Sequence, residues 1–346
     1  MRFLIDLQHP AEIHVLKNLV SLLRASGHEV RFTGRDKDIV VALAKEMGEE
    51  VQIFGKARKG FLHLALEFFY RATRLAWIIA VWRPDMILAA GDGAFIAVPA
   101  RLFRVPFLIF YDTEHATIAN RISYPLATNI YVPDCYNRPV GRDHVRYPGY
   151  HALAYLHPAR FTPDPAVLAE AGLVPGEIFS VVRYVAWGAG HDIGLSGLSP
   201  ELRLEAVRAL AAHGRVIVSC EGELPAELEP YRLRLPVHRM HHLLAFASLT
   251  FGESATMASE GAVLGVPGVY VDPVGRGYSD ELERRYELMF NFRPEQEAAA
   301  LAKAVELLRA GDKATFAARR ARMLEEKIDV TGYFYEVVTG RPPEAA

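Results

Sequence analysis

A strand, a tight turn, a helix and a second strand follow one another between Leu243 and Val271, and no other stretch constrains the fold as much. The run Leu243 to Phe251, largely apolar and passing through Ser248, reads as the first strand. It leads into Gly252-Glu253-Ser254-Ala255-Thr256-Met257-Ala258-Ser259-Glu260, then Gly261 to Gly265, and an apolar Val269-Tyr270-Val271. Ser254 suits an N-cap, because its hydroxyl can accept from a free backbone N–H of the first turn. Gly265 and Pro267 mark the helix end. The helix start offers unpaired N–H groups and a positive dipole end, a combination that suits phosphate. Glu260, about one turn inside, lies on a face that reaches a nearby sugar hydroxyl. The same spacing also describes an ordinary βαβ unit in which Glu260 is merely solvated.

The chain has 346 residues, long for one domain, and 51% of them are hydrophobic, enough for two cores. A net charge of −2 without a long basic block argues against nucleic acid as a partner. Cys135 and Cys220 are far apart with no paired motif, which argues against disulfide and zinc frameworks and fits a reducing, cytoplasmic setting. Asp6 and Glu12 interrupt any signal-peptide core, and no stretch is long and uncharged enough for a membrane span.

Arg2 to Leu7 reads as a buried first strand, Gln8 to Glu12 as a turn, and Ile13 to Ser26 as a helix with Ile13, Leu16, Leu19, Val20 and Leu23 on one face. Glu29 to Thr33 is the next strand, and Asp36 caps a helix through Met47. This alternation predicts a parallel sheet with ligands at the carboxyl ends of its strands. His9 and His14 fall there, and a neutral imidazole at a strand-to-helix turn can accept a proton. Glu114 and His115 sit at another strand's carboxyl end, after Pro106 to Phe110. Ile130 to Pro133 reads as the last strand of this lobe.

The segment Gly55 to Arg83 holds a long helix with two readings. Residues 56–82 either lie on a membrane surface near a lipid-linked acceptor, or form a core helix whose arginines snorkel from an apolar groove. The need of each sheet for covering helices favours the second. Residues 139–164 read as the crossing between lobes, giving domains 1–150 and 151–327, with 328–346 crossing back to the first. Glu177 to Tyr184 opens the second lobe. Arg183 at its end can neutralise diphosphate charge, and His191 lies in the glycine-rich loop that follows. His238-Arg239-Met240-His241-His242 lacks a partner carboxylate or cysteine, so no metal and no cofactor is expected.

Two resemblances extend this reading. The stretch around Ser254 to Glu260 resembles the donor-binding segment of glycosyltransferases of the two-lobed B-type fold and of UDP-N-acetylglucosamine 2-epimerases. The resemblance implies two Rossmann-like parallel-sheet lobes facing a cleft. It sets Ser254, Ala255 and Thr256 at the diphosphate, Glu260 at the ribose and the region of Met240 at the nucleobase. Glu253 and Ala255 depart from the more glycine-rich pattern. Asp6-Leu7-Gln8-His9-Pro10-Ala11-Glu12-Ile13-His14, Arg183 to Trp187 with His191-Asp192, and Thr256 to Glu260 resemble an uncharacterised prokaryotic family assigned to the same fold. The implied partners are a nucleotide-diphosphate sugar, UDP-linked, and a glycan or lipid-linked acceptor. The implied location is the cytoplasm or the inner face of the membrane. Glycosyl transfer leads; a nonhydrolysing UDP-sugar 2-epimerase and a non-catalytic nucleotide-sugar-binding protein are the alternatives.

Overall fold

The computed structural model describes residues 1–36, 48, 50–56, 61–114, 117–141, 144–185, 197–220 and 222–342. The chain divides into two compact units, Met1–Tyr155 with Ile328–Ala346, and Leu156–Lys327.

The first unit contains β1 (Arg2–Leu7), β2 (Glu29–Asp36), β3 (Val51–Lys56), β4 (Met86–Ala89), β5 (Phe107–Phe110), β6 (Asn129–Pro133) and β7 (His144–Tyr147). They form one parallel sheet in the order β3-β2-β1-β4-β5-β6-β7. Such a sheet is covered on both faces, which is why its central strands are almost continuously apolar. Leu4, Ile87, Phe107 and Ile109 point to one face and meet Leu75, Ile78 and Ile96 from the helices Phe61–Trp82 and Ala94–Phe103. The other face is covered by the helices Pro10–Ala25 and Val330–Thr339; the rings of Phe110 and Phe334 lie 3.9 Å apart. Each fully buried side chain of this size contributes roughly 1.5–3 kcal/mol.

The second unit contains β8 (Phe179–Tyr184), β9 (Arg215–Cys220), β10 (Leu249–Gly252), β11 (Gly268–Val271) and β12 (Met289–Phe292). These also run parallel, in the order β12-β11-β10-β8-β9. Each sheet reverses its winding once. The reversal falls between β1 and β4 in the first unit and between β8 and β10 in the second, and ligands of doubly wound sheets bind at such points.

Both units are therefore parallel-sheet α/β lobes, as the alternation predicts, but several local readings need correction. The run Leu243 to Phe251 is not one strand. The helix Met240–Leu244 takes its first part and β10 begins only at Leu249, because an unbroken apolar run does not distinguish the two. Ile130 to Pro133 is not the last strand of its lobe, since β7 pairs with β6 inside the stretch read as a crossing. β3 and β12 are strands beyond those the sequence pattern marks. The first helix starts at Pro10, three residues before the periodic face, with proline at N1 and His9 as N-cap. The helix expected after Asp36 lies outside the described residues. Among the described residues no helix is long and apolar enough to cross a membrane.

Candidate functional site

In the second unit the winding reverses beside Gly252, the last residue of β10. Its φ of 141° is open to glycine, and a Cβ there would stand 2.1 Å from the Arg183 carbonyl oxygen. The two strand ends thus touch backbone to backbone. Ser254 then caps the helix Ala255–Leu264, its Oγ accepting from Met257 N–H at 3.3 Å. Ala255 is buried and Thr256 exposed, so the first turn presents its free N–H groups with little side-chain bulk around them.

Glu253, one of the departures from a glycine-rich turn, acts as a brace. It is buried, accepts from the N–H groups of Val185 at 3.3 Å and Leu198 at 2.7 Å, and pairs with Arg203 at 2.9 Å. It thereby fastens both ends of the segment that leaves β8. Arg183 is half-buried and its guanidinium donates to Ser219 Oγ at 2.6 Å, which orients it along the end of β9. At the end of β11, Arg276 is held by Asp272 at 2.8 Å and by the Tyr270 hydroxyl at 2.5 Å, a cation that sequence reading passed over.

Glu260 is only 5% exposed, so its reading as a solvated helix residue is wrong. Its Oε1 lies 3.0 Å from His241 Nε2 on the helix Met240–Leu244. The three histidines of that segment serve separate ends. His241 meets Glu260, His242 accepts from Asp164 N–H at 3.0 Å and lies against Phe161, and His238 is exposed. Met240 is half-buried against the core around Val167 and Leu243. His191 lies outside the described residues. A separate pocket of about 270 Å3 opens near Phe179, Ser248 and Pro267, at the amino ends of the strands and so at the wrong end of the sheet for this site.

In the first unit the reversal point is occupied by acids. Glu12, in the first turn of its helix, is 6% exposed and accepts from Gln8 N–H at 2.9 Å. It lies so close to Gly91 that a Cβ on the glycine would fall 2.2 Å from Glu12 Oε1. Burial pushes its carboxyl well above the ordinary value, and Asp92 and Asp6 add to the effect. Asp92 Oδ1 accepts from Ala94 N–H at 2.9 Å. Below them Arg71, wholly buried, pairs with Asp6 at 3.0 Å and lies over the Phe95 ring at 4.3 Å. Arg71 therefore does not snorkel to water.

His14 does not lie in the strand-to-helix turn, because the helix has already begun at Pro10. It lies in the second turn, half-buried, its ring 5.5 Å from that of Tyr155. His9 fills the N-cap, its Nδ1 accepting from Ala11 N–H at 3.3 Å. Glu114 is buried after β5 and accepts from Asn137 N–H at 3.4 Å; His115 lies outside the described residues. Sequence reading missed His151, which is buried with its Nδ1 3.4 Å from Asp112. Burial lowers its pKa despite the carboxylate, so the imidazole is held neutral. It was hidden in the stretch read as a linker.

Residues 1–142 match the model of a family described as protein of unknown function, DUF354. Over 132 residues, 34% of this chain, the sequence is 33% identical to a UDP-N-acetylglucosamine–N-acetylmuramyl-(pentapeptide) pyrophosphoryl-undecaprenol N-acetylglucosamine transferase of Streptococcus equi subsp. equi. That match spans only 36% of the transferase. The UDP-GlcNAc 2-epimerase of Neisseria meningitidis, solved with UDP-GlcNAc, superposes over 98% of this chain and 99% of its own with a TM-score of 0.66 at 10% identity. MurG of Acinetobacter baumannii superposes over 99% and 100% with a TM-score of 0.62 at 13% identity. At such identities the likeness is one of fold, and the fold is that of B-type glycosyltransferases and UDP-GlcNAc 2-epimerases.

Proposed function

We propose that the protein is a cytoplasmic glycosyltransferase whose second lobe binds a UDP-linked sugar. One observation carries the reading. At the winding reversal of the second sheet, a glycine with no room for a Cβ leads into a capped helix start, and farther along that helix a buried carboxylate lies 3.0 Å from a histidine of the helix Met240–Leu244. Free N–H groups and a helix dipole suit a diphosphate. In this reading Ser254, Ala255 and Thr256 meet the phosphates, Glu260 the ribose hydroxyls, Met240 and its neighbours the base, and Arg183 with His191 the charge that develops on the leaving diphosphate. The first lobe supplies the acceptor site, a glycan or a lipid-linked sugar, with His14 as base and His9, Glu114 and His115 as further polar groups of the reaction.

The acids of the first lobe favour a second reading. Glu12, Asp92 and the His151–Asp112 pair are more acid–base groups than a single displacement needs, and a 2-epimerase needs several. Incubation with UDP-N-acetylglucosamine alone separates the two. An epimerase converts it without an acceptor; a transferase leaves it intact until an acceptor is added. A thermal-shift screen of nucleotides and nucleotide sugars tests the donor assignment itself, since a ligand of the native state raises apparent stability. No shift with any uridine nucleotide would remove it. A shift without turnover under either condition would leave a binding protein.

A further inference from the structure

The helix Phe61–Trp82 is apolar on two opposite faces. Leu75, Ile78, Ile79 and Trp82 are buried against the sheet. Leu66, Phe69, Tyr70, Trp77 and Val81 recur at the same helical spacing on the other side and are exposed, Phe69 to 68%. A helix that is apolar all round is ordinarily buried all round. The helix Ala94–Phe103 packs on it and Thr117–Ser123 packs on Ala94–Phe103, and both continue the surface: Leu102 is 72% exposed and Ile118 is 76% exposed. Among the described residues, ten of the sixteen exposed large hydrophobic side chains fall on these three helices. The apolar exposure is thus a patch, and a patch of this kind marks an interaction surface.

The exposed charges of the three helices have one sign. Arg74, Arg101, Arg104 and Arg121 are exposed on or beside the three helices, and Arg74 lies 5.6 Å from the Trp77 ring. The three helices carry a single acid, Glu67, which is buried and bound by Arg35 at 2.6 Å. We propose that this three-helix face docks on an anionic lipid surface, with the apolar side chains entering the headgroup boundary and the arginines pairing with lipid phosphates. The charge pattern selects the occupant. A second copy of the chain would bring the same arginines against one another across a two-fold axis, whereas an anionic bilayer neutralises them. The covering helix of the first sheet and the membrane-surface helix weighed as alternatives are then the two faces of one element. The inference stands apart from the donor reading and is tested without any sugar substrate.

The test uses the full chain with vesicles of phosphatidylglycerol mixed into phosphatidylcholine, against vesicles of phosphatidylcholine alone. Flotation should carry the protein up with the anionic vesicles and release it as salt is raised. Trp77 fluorescence should shift to the blue on binding, and the shift should be lost in Trp77→Phe. Phe69→Ser with Leu102→Ser should reduce partitioning by about tenfold or more, and Arg74→Gln by about fivefold. Val174→Ser, on the other unit, should change nothing. These substitutions lie on the surface, and circular dichroism checks that they leave the fold intact. No binding of the unaltered protein to anionic vesicles overturns the proposal. So does a concentration-dependent dimer that Phe69→Ser dissociates, which would assign the face to a second copy.

Discussion

Glu260 and His241 form a buried pair across two helices, with 3.0 Å between Oε1 and Nε2. The pair fixes the direction in which the carboxylate points from the helix Ala255–Leu264, and the contact offsets part of what each partner loses by leaving water. Buried carboxylates without such a partner take up a proton or destabilise the fold. A carboxylate oriented in advance binds a diol without first paying to be ordered.

Glu260→Ala should weaken binding of UDP roughly ten- to hundredfold, the equivalent of about 1.5–3 kcal/mol from lost charge-assisted hydrogen bonds. Calorimetric titration measures it, and the loss should be smaller for a 2′,3′-dideoxy nucleotide. Because the side chain is buried, the same substitution should also lower stability by about 1–3 kcal/mol through the lost contact with His241. Glu260→Gln, which keeps the shape, separates the two effects. It should recover most of the stability and less of the affinity. Equal affinity of all three proteins for UDP would remove the ribose role.

Gly252→Ala should be among the most damaging single substitutions in the second unit. The added methyl would fall 2.1 Å from the Arg183 carbonyl oxygen at a φ of 141°. Backbone strain and steric clash together should cost roughly 3 kcal/mol or more. Denaturant unfolding reads the cost. The mirrored control is Gly176→Ala, where a positive φ of 85° adds strain but nothing lies within 4 Å, so its loss should be clearly smaller. A Gly252→Ala protein as stable as the original would show that the two strand ends do not touch.

The pace of strands and helices was legible in the chain because the buried strands are apolar and glycine or proline punctuates them. The helix Ala94–Phe103 shows the punctuation, running from the turn at Gly91 to Gly93 to the left-handed Arg104. What stayed illegible is long-range. Asp6 and Arg71 meet across 65 positions, and Glu260 and His241 across 19. Neither pairing has a local signature, since a buried salt bridge looks in sequence like two unrelated charges. β7, His144-Val145-Arg146-Tyr147, was missed because an edge strand shows water half its residues and loses the apolar run. The helix start at Ser254 was readable, as capping is local chemistry. The brace at Glu253 was not, because its partners lie in other parts of the lobe.

His14→Ala should lower turnover roughly 10²-fold with donor affinity almost unchanged, if His14 is the base for the attacking hydroxyl. The imidazole rests against Tyr155 rather than in the turn, so a purely structural role predicts a different outcome. In that case His14→Phe, which restores ring packing, would recover activity. Recovery by phenylalanine would sink the base assignment.

The last prediction concerns pH and needs no substrate. Glu12 is packed against Gly91 and faces Asp92 and Asp6, with Arg71 and the Gln8 N–H as the groups that favour its charge. Burial is the largest influence, and it raises the carboxyl well above its ordinary value of 4.5. Its folded pKa thus exceeds its unfolded one, so in the window between them the native state holds a proton that the unfolded chain has released. Stability contributed by the neutral form is complete below the unfolded value and is lost as pH rises through the folded one. Gln at this position is uncharged at every pH, has the same shape, and its carbonyl oxygen still accepts from Gln8 N–H. Glu12→Gln should therefore match the original protein near pH 4 and be more stable at about pH 8, the gap opening where the unfolded chain releases its proton while the native state still holds one, and levelling off once the native Glu12 ionises. Urea unfolding at a series of pH values gives the comparison. A gap that is constant with pH, or that opens toward acid, would mean that Glu12 is ionised in the folded protein. The acids at the winding reversal of the first sheet would then have to be held by cations instead of by a proton.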